Sequence, residues 1–218
     1  MNNKVIALIL AGGKGERVSP DRPKQYIEVR GESVLHHTLN AFRGMVDDII
    51  VVCQDEWREY VGSYRTATAG ATGFESLCNG VAALTDEAPD TFVMIHDAVR
   101  PLVGQAVIQD NITVARRCGN AIAAVETYET LLMAPNAETV RSMVRRESVY
   151  RAQTPQTFTL GTLRKMIEEA RTRCVVNAQS ACTLAMQLGY QLHLSKGDLR
   201  NFKITIPSDM TLYESLIP

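Results

Sequence analysis

The apolar run Val5 to Leu10 leads directly into Ala11-Gly12-Gly13-Lys14-Gly15-Glu16-Arg17. Glycines at 12, 13 and 15 carry no Cβ, so their backbone N–H groups can approach and wrap an anion. The loop is not a Walker A sequence, because no Gly-Lys-Ser/Thr closes it. Nor is it a dinucleotide fingerprint, because the third glycine would fall on Val18. Arg17, Arg22 and Lys24 follow within the next ten residues, the last in the Pro-restricted segment Pro23-Lys24-Gln25-Tyr26. A glycine cradle backed by several cations suits a polyphosphate.

A second group of chemistry-bearing residues is His96-Asp97-Ala98-Val99-Arg100-Pro101, which closes the apolar run Phe92 to Ile95. An acid at the carboxyl end of a parallel strand sits where open α/β sheets bind ligands. Asp97 there can hold Mg²⁺ while Arg100 handles phosphate. The bland alternative for Asp97 is a turn or helix-capping aspartate. His96 is expected to pack or hydrogen-bond, and His36, His37 and His193 have no metal-ligand partners at suitable spacing.

These residues need a scaffold, and the hydrophobic pattern supplies one. Strand-length apolar runs alternate with amphipathic stretches over the first 125 residues, the signature of an α/β chain with a doubly wound, mostly parallel sheet. Strands are predicted at Val5 to Leu10, Asp48 to Cys53, Thr91 to His96 and Ala121 to Val125. Helices are predicted at Ser33 to Phe42, Glu56 to Ser63, Phe74 to Leu84 and Gln105 to Arg117. From Glu126 to Arg151 the pattern breaks. Thr130 to Ala134 and Thr139 to Val144 form two candidate strands around Pro135-Asn136-Ala137, a β-arm projecting from the sheet at about 127–151. Its unpaired edges invite a partner subunit. Helices near Leu160 to Thr172 and Ala178 to Leu188 follow, then strands Tyr190 to Ser195 and Phe202 to Thr205 and a last helix from Pro207. No linker or repeat divides the chain, so residues 1–218 are expected to form a single domain.

Composition narrows the partners. Twenty-three basic against 24 acidic residues give net charge −1 and a pI near 6.4, with 45% hydrophobic and 22% charged residues. No overall positive field is available for nucleic acid or an anionic membrane, so an anion site must be local. The N-terminal apolar run is about half the length of a bilayer span, and no signal peptide is expected. Five widely spaced cysteines without a C-x-x-C pair fit reduced thiols in the cytoplasm.

Leu-Ala-Gly-Gly-Lys-Gly-Glu-Arg, Pro-Lys-Gln-Tyr, His-Asp-Ala-Val-Arg-Pro, Gln-Thr-Pro-Gln-Thr-Phe at 153–158 and Asn-Phe-Lys-Ile-Thr at 201–205 together resemble the polyol-phosphate cytidylyltransferase family. The family activates polyol phosphates with CTP, and the resemblance covers nearly the whole chain. It implies that an acceptor phosphate oxygen attacks the α-phosphorus of CTP in line while pyrophosphate leaves. By the same resemblance Arg17 and Lys24 would stabilise the transition state, and Asp97 would hold the Mg²⁺ on CTP. Ala11, Gly12, Gly13 and Gly15 would cradle the nucleotide, and Gly70 and Ser76 would read cytosine. Glu129-Thr130 matches the family's Asp-Thr pair, so Thr130, Arg146 and Lys203, with Arg100, would bind the polyol phosphate. In the family the arm crosses to a second subunit, which implies a homodimer.

Two positions depart from the family pattern. Gly73 stands where the family commonly has an arginine, leaving Lys14 or Arg22 to compensate, or CTP to bind more weakly. Gln179-Ser180-Ala181-Cys182 replaces the Thr-Asp-Glu-Ala run of the methylerythritol branch. Ala181-Cys182, Trp57, Val99 and the Tyr150 to Phe158 segment lean toward the ribitol branch, which implies ribitol 5-phosphate as acceptor. The alternatives are 2-C-methyl-D-erythritol 4-phosphate, another polyol or sugar phosphate, a nucleotide-binding homologue without turnover, and a nicotinamide-dependent oxidoreductase. The absent third glycine weakens the last.

Overall fold

The computed structural model describes residues 3–175 and 178–217. In chain order the elements are β1 (Val5–Leu10), a small hairpin of β2 (Glu28–Val29) and β3 (Glu32–Ser33), α1 (Val34–Phe42), β4 (Asp48–Cys53), β5 (Arg65–Thr68) and α2 (Gly73–Ala82). Then come β6 (Phe92–Asp97), α3 (Gln105–Cys118), β7 (Asn120–Glu126), β8 (Leu131–Met133), β9 (Ser142–Val144) and β10 (Tyr150–Thr159). α4 (Leu160–Thr172), α5 (Ala181–Leu188), β11 (Leu194–Lys196) and α6 (Pro207–Leu216) complete the chain. Single-turn 3-10 segments lie at Lys24–Tyr26 and Arg146–Ser148, and a longer one at Asp55–Val61.

Seven strands form the central sheet in the order β11-β7-β10-β6-β1-β4-β5. Strand pairs β1·β4, β1·β6, β4·β5 and β11·β7 are parallel, and β10 runs antiparallel to both of its neighbours. Side chains alternate across a strand, and in β1 this divides the core in two. Val5, Ala7 and Ile9 pack with Leu35, Leu39 and Phe42 of α1 and Ile108 and Ile112 of α3. Ile6 and Leu8 pack on the other face with Leu77 and Val81 of α2, Leu163 and Met166 of α4 and Leu184 of α5. Helices therefore cover both faces, as a doubly wound sheet requires.

The chain leaves β1 toward β4 and β5 on one side and later returns to β6 on the other. The carboxyl ends of β1 and β6 thus form a topological switch point, the place where open α/β sheets bind ligands. Leu10 and Asp97 are register partners there, so the glycine loop departs beside the acid.

Several elements differ from the sequence pattern. β10 lies in the middle of the sheet although its residues showed no apolar run. Gln153, Thr154, Gln156 and Thr157 are buried and satisfied by hydrogen bonds rather than by apolar packing, and the pairing with β7 shifts register between Ala152 and Gln156. Thr157 Oγ1 donates to Asn111 Oδ1, whose amide nitrogen donates to the Pro155 carbonyl and to Ser195 Oγ, so α3, β10 and β11 share one polar bridge. β5, an edge strand of four residues, was too short to stand out. Phe202 to Thr205 forms no strand, and the strand expected at Tyr190 to Ser195 is confined to Leu194–Lys196. The helix expected at Glu56 to Ser63 is the 3-10 segment Asp55–Val61. The arm pairs Leu131 with Val144 and Met133 with Ser142, leaving Leu132, Met133, Val140 and Met143 exposed.

Candidate active site

A cavity of about 660 Å³ opens at the switch point, large enough for a nucleotide. Ala11, Gly12, Gly13, Gly15, Arg17, Lys24, Gly70, Ser76, Asp97 and Lys203 all border it, so ten of the sequence-selected residues converge from five regions of the chain. Arg100, Thr130 and Arg146 do not border it.

Glycine is required at specific points of the loop. A Cβ on Gly12 would stand 2.4 Å from Ala69 Cβ, because the loop packs against the turn that follows β5. Gly15 has φ +73°, and a Cβ there would stand 2.9 Å from the backbone nitrogen of Lys24. Gly13 has nothing within 4 Å of that position and is exposed, so its backbone is open to a ligand. None of the N–H groups of residues 12 to 17 finds an acceptor among the described residues, which leaves a run of donors for an anion.

Asp97 ends β6 with its carboxylate held between two cations. Lys203 Nζ lies 3.1 Å from Oδ1 and Arg100 Nε 2.9 Å from Oδ2. Burial pushes its pKa up, but Lys203 and Arg100 outweigh that and hold it at about 2. The carboxylate is therefore ionised at neutral pH. Arg100, selected for phosphate, is instead committed to Asp97 and to the Asn201 carbonyl at 2.8 Å. Its side chain is 11% exposed, and it fixes the Asn201 turn that carries Lys203.

His96 lies beneath Asp97, fully buried. Thr154 Oγ1 sits 3.0 Å from its Nδ1, and Nε2 sits 3.3 Å from the Arg100 carbonyl. A carbonyl only accepts, so Nε2 carries the proton and Nδ1 accepts from the Thr154 hydroxyl. That hydroxyl in turn accepts from the Asp97 N–H at 3.1 Å. Burial lowers the His96 pKa to about 4, against the opposing pull of Asp97, so the ring is neutral and positions Asp97 through Thr154.

Burial also lowers the pKa of Lys24, and the nearby positive charges of Lys203 and Arg17 lower it further. Cations that oppose one another's charge gain from an anion placed among them. Ser76 Oγ accepts from the Gly70 N–H at 3.1 Å and donates to the Thr72 carbonyl at 2.9 Å, which shapes the turn opposite the glycine loop. Lys14 borders the cavity, whereas Arg22 lies over Trp57 and Tyr60, 5.8 and 5.2 Å from their ring centroids. Of the two cations that could stand in for an arginine at Gly73, the cavity receives Lys14.

Ser180 explains one departure from the family pattern. Its hydroxyl caps α5 by accepting from the Thr183 N–H at 3.1 Å, a task aspartate performs equally well. Gln25, Gln54, Thr154, Gln156 and Gln179 also border the cavity and were not selected from the sequence. Gln25 and Gln156 lay within motifs already singled out, but polar uncharged side chains carry no signal of their own. On the arm, Arg146 Nη1 donates to the Tyr128 carbonyl at 3.1 Å. With Thr127 and Tyr150 it borders a separate, smaller cavity of about 300 Å³.

The family model described as 2-C-methyl-D-erythritol 4-phosphate cytidylyltransferase, IspD, matches residues 5–218. The ribitol-5-phosphate cytidylyltransferase of Vibrio parahaemolyticus is 32% identical, over 97% of this chain and 95% of that protein. The 2-C-methyl-D-erythritol 4-phosphate cytidylyltransferase of Geotalea uraniireducens is 36% identical, over 98% and 97%. The crystal structure of the 2-C-methyl-D-erythritol 4-phosphate cytidylyltransferase of Thermus thermophilus superimposes with a TM-score of 0.83 at 31% identity, covering 98% of each chain. Sequence match, relatives and fold thus agree with the motifs that converge on the cavity, and the chain belongs to the IspD cytidylyltransferase family of nucleotidyltransferases.

Proposed function

We propose that this enzyme transfers the cytidylyl group of CTP to ribitol 5-phosphate, giving CDP-ribitol and pyrophosphate. The observation that carries the transfer chemistry is one cavity in which the N–H groups of residues 12 to 17, without an acceptor among the described residues, the cations Arg17, Lys24 and Lys203, and the ionised Asp97 meet. A phosphate oxygen of the acceptor forms a bond to the α-phosphorus of CTP as the bond from that phosphorus to the bridging oxygen breaks. The electron pair leaves with pyrophosphate. Such transfer asks a protein mainly for positioning and charge neutralisation. The glycine loop binds the triphosphate, Gly70 and Ser76 shape the turn that reads the base, and Arg17 and Lys24 meet the charge that builds up at the α-phosphorus.

Asp97 suits Mg²⁺ brought in by the nucleotide, which binds one or two carboxylates and completes its shell with phosphate oxygens and water. Among the described residues no group of three or more His, Cys, Asp and Glu gathers. Asp97 would hold the Mg²⁺ ion, which would supply neutralisation of phosphate charge; Lys203, 3.1 Å from Asp97, is the cation placed to meet the acceptor phosphate. Thr130 and Arg146 do not border the cavity of their own chain, and we assign them to the acceptor site of a second subunit in a homodimer. No helix among the described residues is long and apolar enough to cross a membrane, and all five cysteines are free; we place the enzyme in the cytoplasm, without nucleic-acid or membrane partners.

Relatives carry both branch names at similar identity, so the acceptor rests on residues. Ala181, the first residue of α5, borders the cavity; by resemblance the identities of Ala181, Cys182, Trp57 and Val99 lean toward the ribitol branch. The second reading is transfer to 2-C-methyl-D-erythritol 4-phosphate, favoured by Ser180 performing the capping role an aspartate would fill. Pyrophosphate release from CTP and Mg²⁺ with each acceptor separates them. Ribitol 5-phosphate should be used at least about tenfold better in kcat/KM, one charge-assisted contact's worth. The opposite preference moves the enzyme to the other branch, and release with neither acceptor defeats both.

A further inference from the structure

Gln25 is 3% exposed, yet its amide nitrogen reaches two backbone carbonyls of the glycine loop, 2.7 Å from Ala11 O and 2.8 Å from Gly13 O. Two acceptors can be faced only by the NH2 end of the carboxamide, so its orientation is fixed and both of its hydrogens are engaged. In a trans peptide the C=O and the following N–H point in opposite directions. Drawing the carbonyls of Ala11 and Gly13 toward Gln25 therefore turns the N–H groups of Gly12 and Lys14 away from it. Both belong to the run of donors without an acceptor among the described residues. A glycine-rich loop without this restraint flips its peptides at low cost, and each flip would aim a carbonyl oxygen where a phosphate oxygen must sit.

The clamp is itself anchored. Gln25 lies in the 3-10 turn Lys24–Tyr26, and the next residue, Tyr26, stacks on Trp57 at 4.5 Å with an interplanar angle of 11°. On the other side, Gly15 leaves no room for a Cβ against the Lys24 backbone. Loop and turn are thereby joined as one body that carries both the donors and Lys24.

We propose that Gln25 is a positioning residue of the transfer reaction. Its carboxamide locks two peptides of the glycine loop in the anion-accepting orientation and so sets the affinity for the triphosphate. This inference rests on the cytidylyl-transfer reading. Gln25→Met fills the same space without a donor, and Gln25→Glu keeps the shape but sets an acceptor against two carbonyls. Each is compared with wild type by calorimetric titration of CTP and of inorganic tripolyphosphate, by steady-state kinetics and by thermal melting.

The dissociation constants for CTP and for tripolyphosphate should rise about tenfold in Gln25→Met and further in Gln25→Glu. KM for the polyol phosphate should stay unchanged and the melt should stay cooperative. A residue that merely fills space leaves CTP and tripolyphosphate affinity unchanged in Gln25→Met; that result overturns the proposal. A Gln25→Met chain that no longer melts cooperatively also overturns it, because Gln25 would then hold the whole fold rather than the loop. If wild type binds tripolyphosphate but not CTP, the cytidylyl reading fails by itself, and the tripolyphosphate titrations of the two variants still decide the role of Gln25.

Discussion

At the cavity, the acid and the glycine loop are held by side chains from other elements. Asp97 is gripped by its near neighbour Arg100 and by Lys203, its N–H by Thr154, and the glycine loop by Gln25. On the arm the opposite holds. Arg145 and Glu147 stand 4.0 Å apart with side chains 87% and 68% exposed, and among the described residues Arg146 reaches only a backbone carbonyl of its own arm. Ion pairs this exposed contribute almost nothing to stability. The sheet thus organises the cavity in advance, whereas the arm carries Arg146 and the exposed Leu132, Met133 and Met143 with little support from the rest of the described chain. Preorganised donors are what electrostatic catalysis needs, so the two regions should respond differently to substitution.

The largest effect is expected at the preorganised end. Asp97→Asn keeps the shape but removes the charge facing Lys203 and Arg100, and activity with Mg²⁺ should fall by about 10³-fold. Leaving Arg100 without its partner costs about 3 kcal/mol, within the stability of a chain this size, so the variant should still fold. Pyrophosphate release and a thermal melt check both halves. Near wild-type turnover with Mg²⁺ would show that the cavity does not work through this acid.

Arg146→Ala should act on the acceptor alone, weakening it by roughly tenfold to a hundredfold while CTP binding is unchanged. Mixing Arg146→Ala subunits with Lys24→Ala subunits, the latter slowed by about 10²-fold in kcat, tests whether the arm is completed by a neighbour. Recovered activity is expected, because one composite site carries neither defect. A verified mixed dimer without recovery would place both regions in one subunit and remove the contrast between them.

The cavity floor should also make stability depend on pH in a way the arm does not. His96 has a folded-state pKa of about 4 against about 6.5 unfolded. A depressed value contributes stability that is complete above the unfolded pKa and is lost as pH falls toward the folded one. Denaturant unfolding should therefore weaken between about pH 6.5 and pH 4, by on the order of 3 kcal/mol from this residue. His96→Gln should flatten that slope, and an unchanged slope would assign it to other groups.

The smallest effect is expected at Gly73, the first residue of α2. A Cβ there meets nothing within 4 Å, and the residue borders the cavity. Gly73→Arg should tighten CTP by up to about fivefold, the value of one exposed ion pair. No gain in a CTP titration would mean that Lys14 already fills that need.

Local sequence determined much of this protein. β1, β4, β6 and β7 were legible as short continuous apolar runs, because each is buried on both faces of the sheet, and α1, α3 and α4 by their periodic alternation of buried and exposed positions. The glycine loop was legible because Gly12 and Gly15 stand where a Cβ would clash, and Asp97 because it ends a buried strand at the edge where open α/β sheets bind ligands. Tertiary structure decided the rest. β10 is polar in sequence yet central in the sheet, since its glutamine and threonine side chains are satisfied by residues more than twenty positions away, among them Asn111, Cys182 and Asn201. Arg100 reads as a phosphate ligand in its motif, but the turn at Asn201 folds over it and makes it a brace for Asp97. Gln25 is silent in sequence for the same reason: a neutral side chain shows its role only through the two carbonyls that packing brings within hydrogen-bond reach.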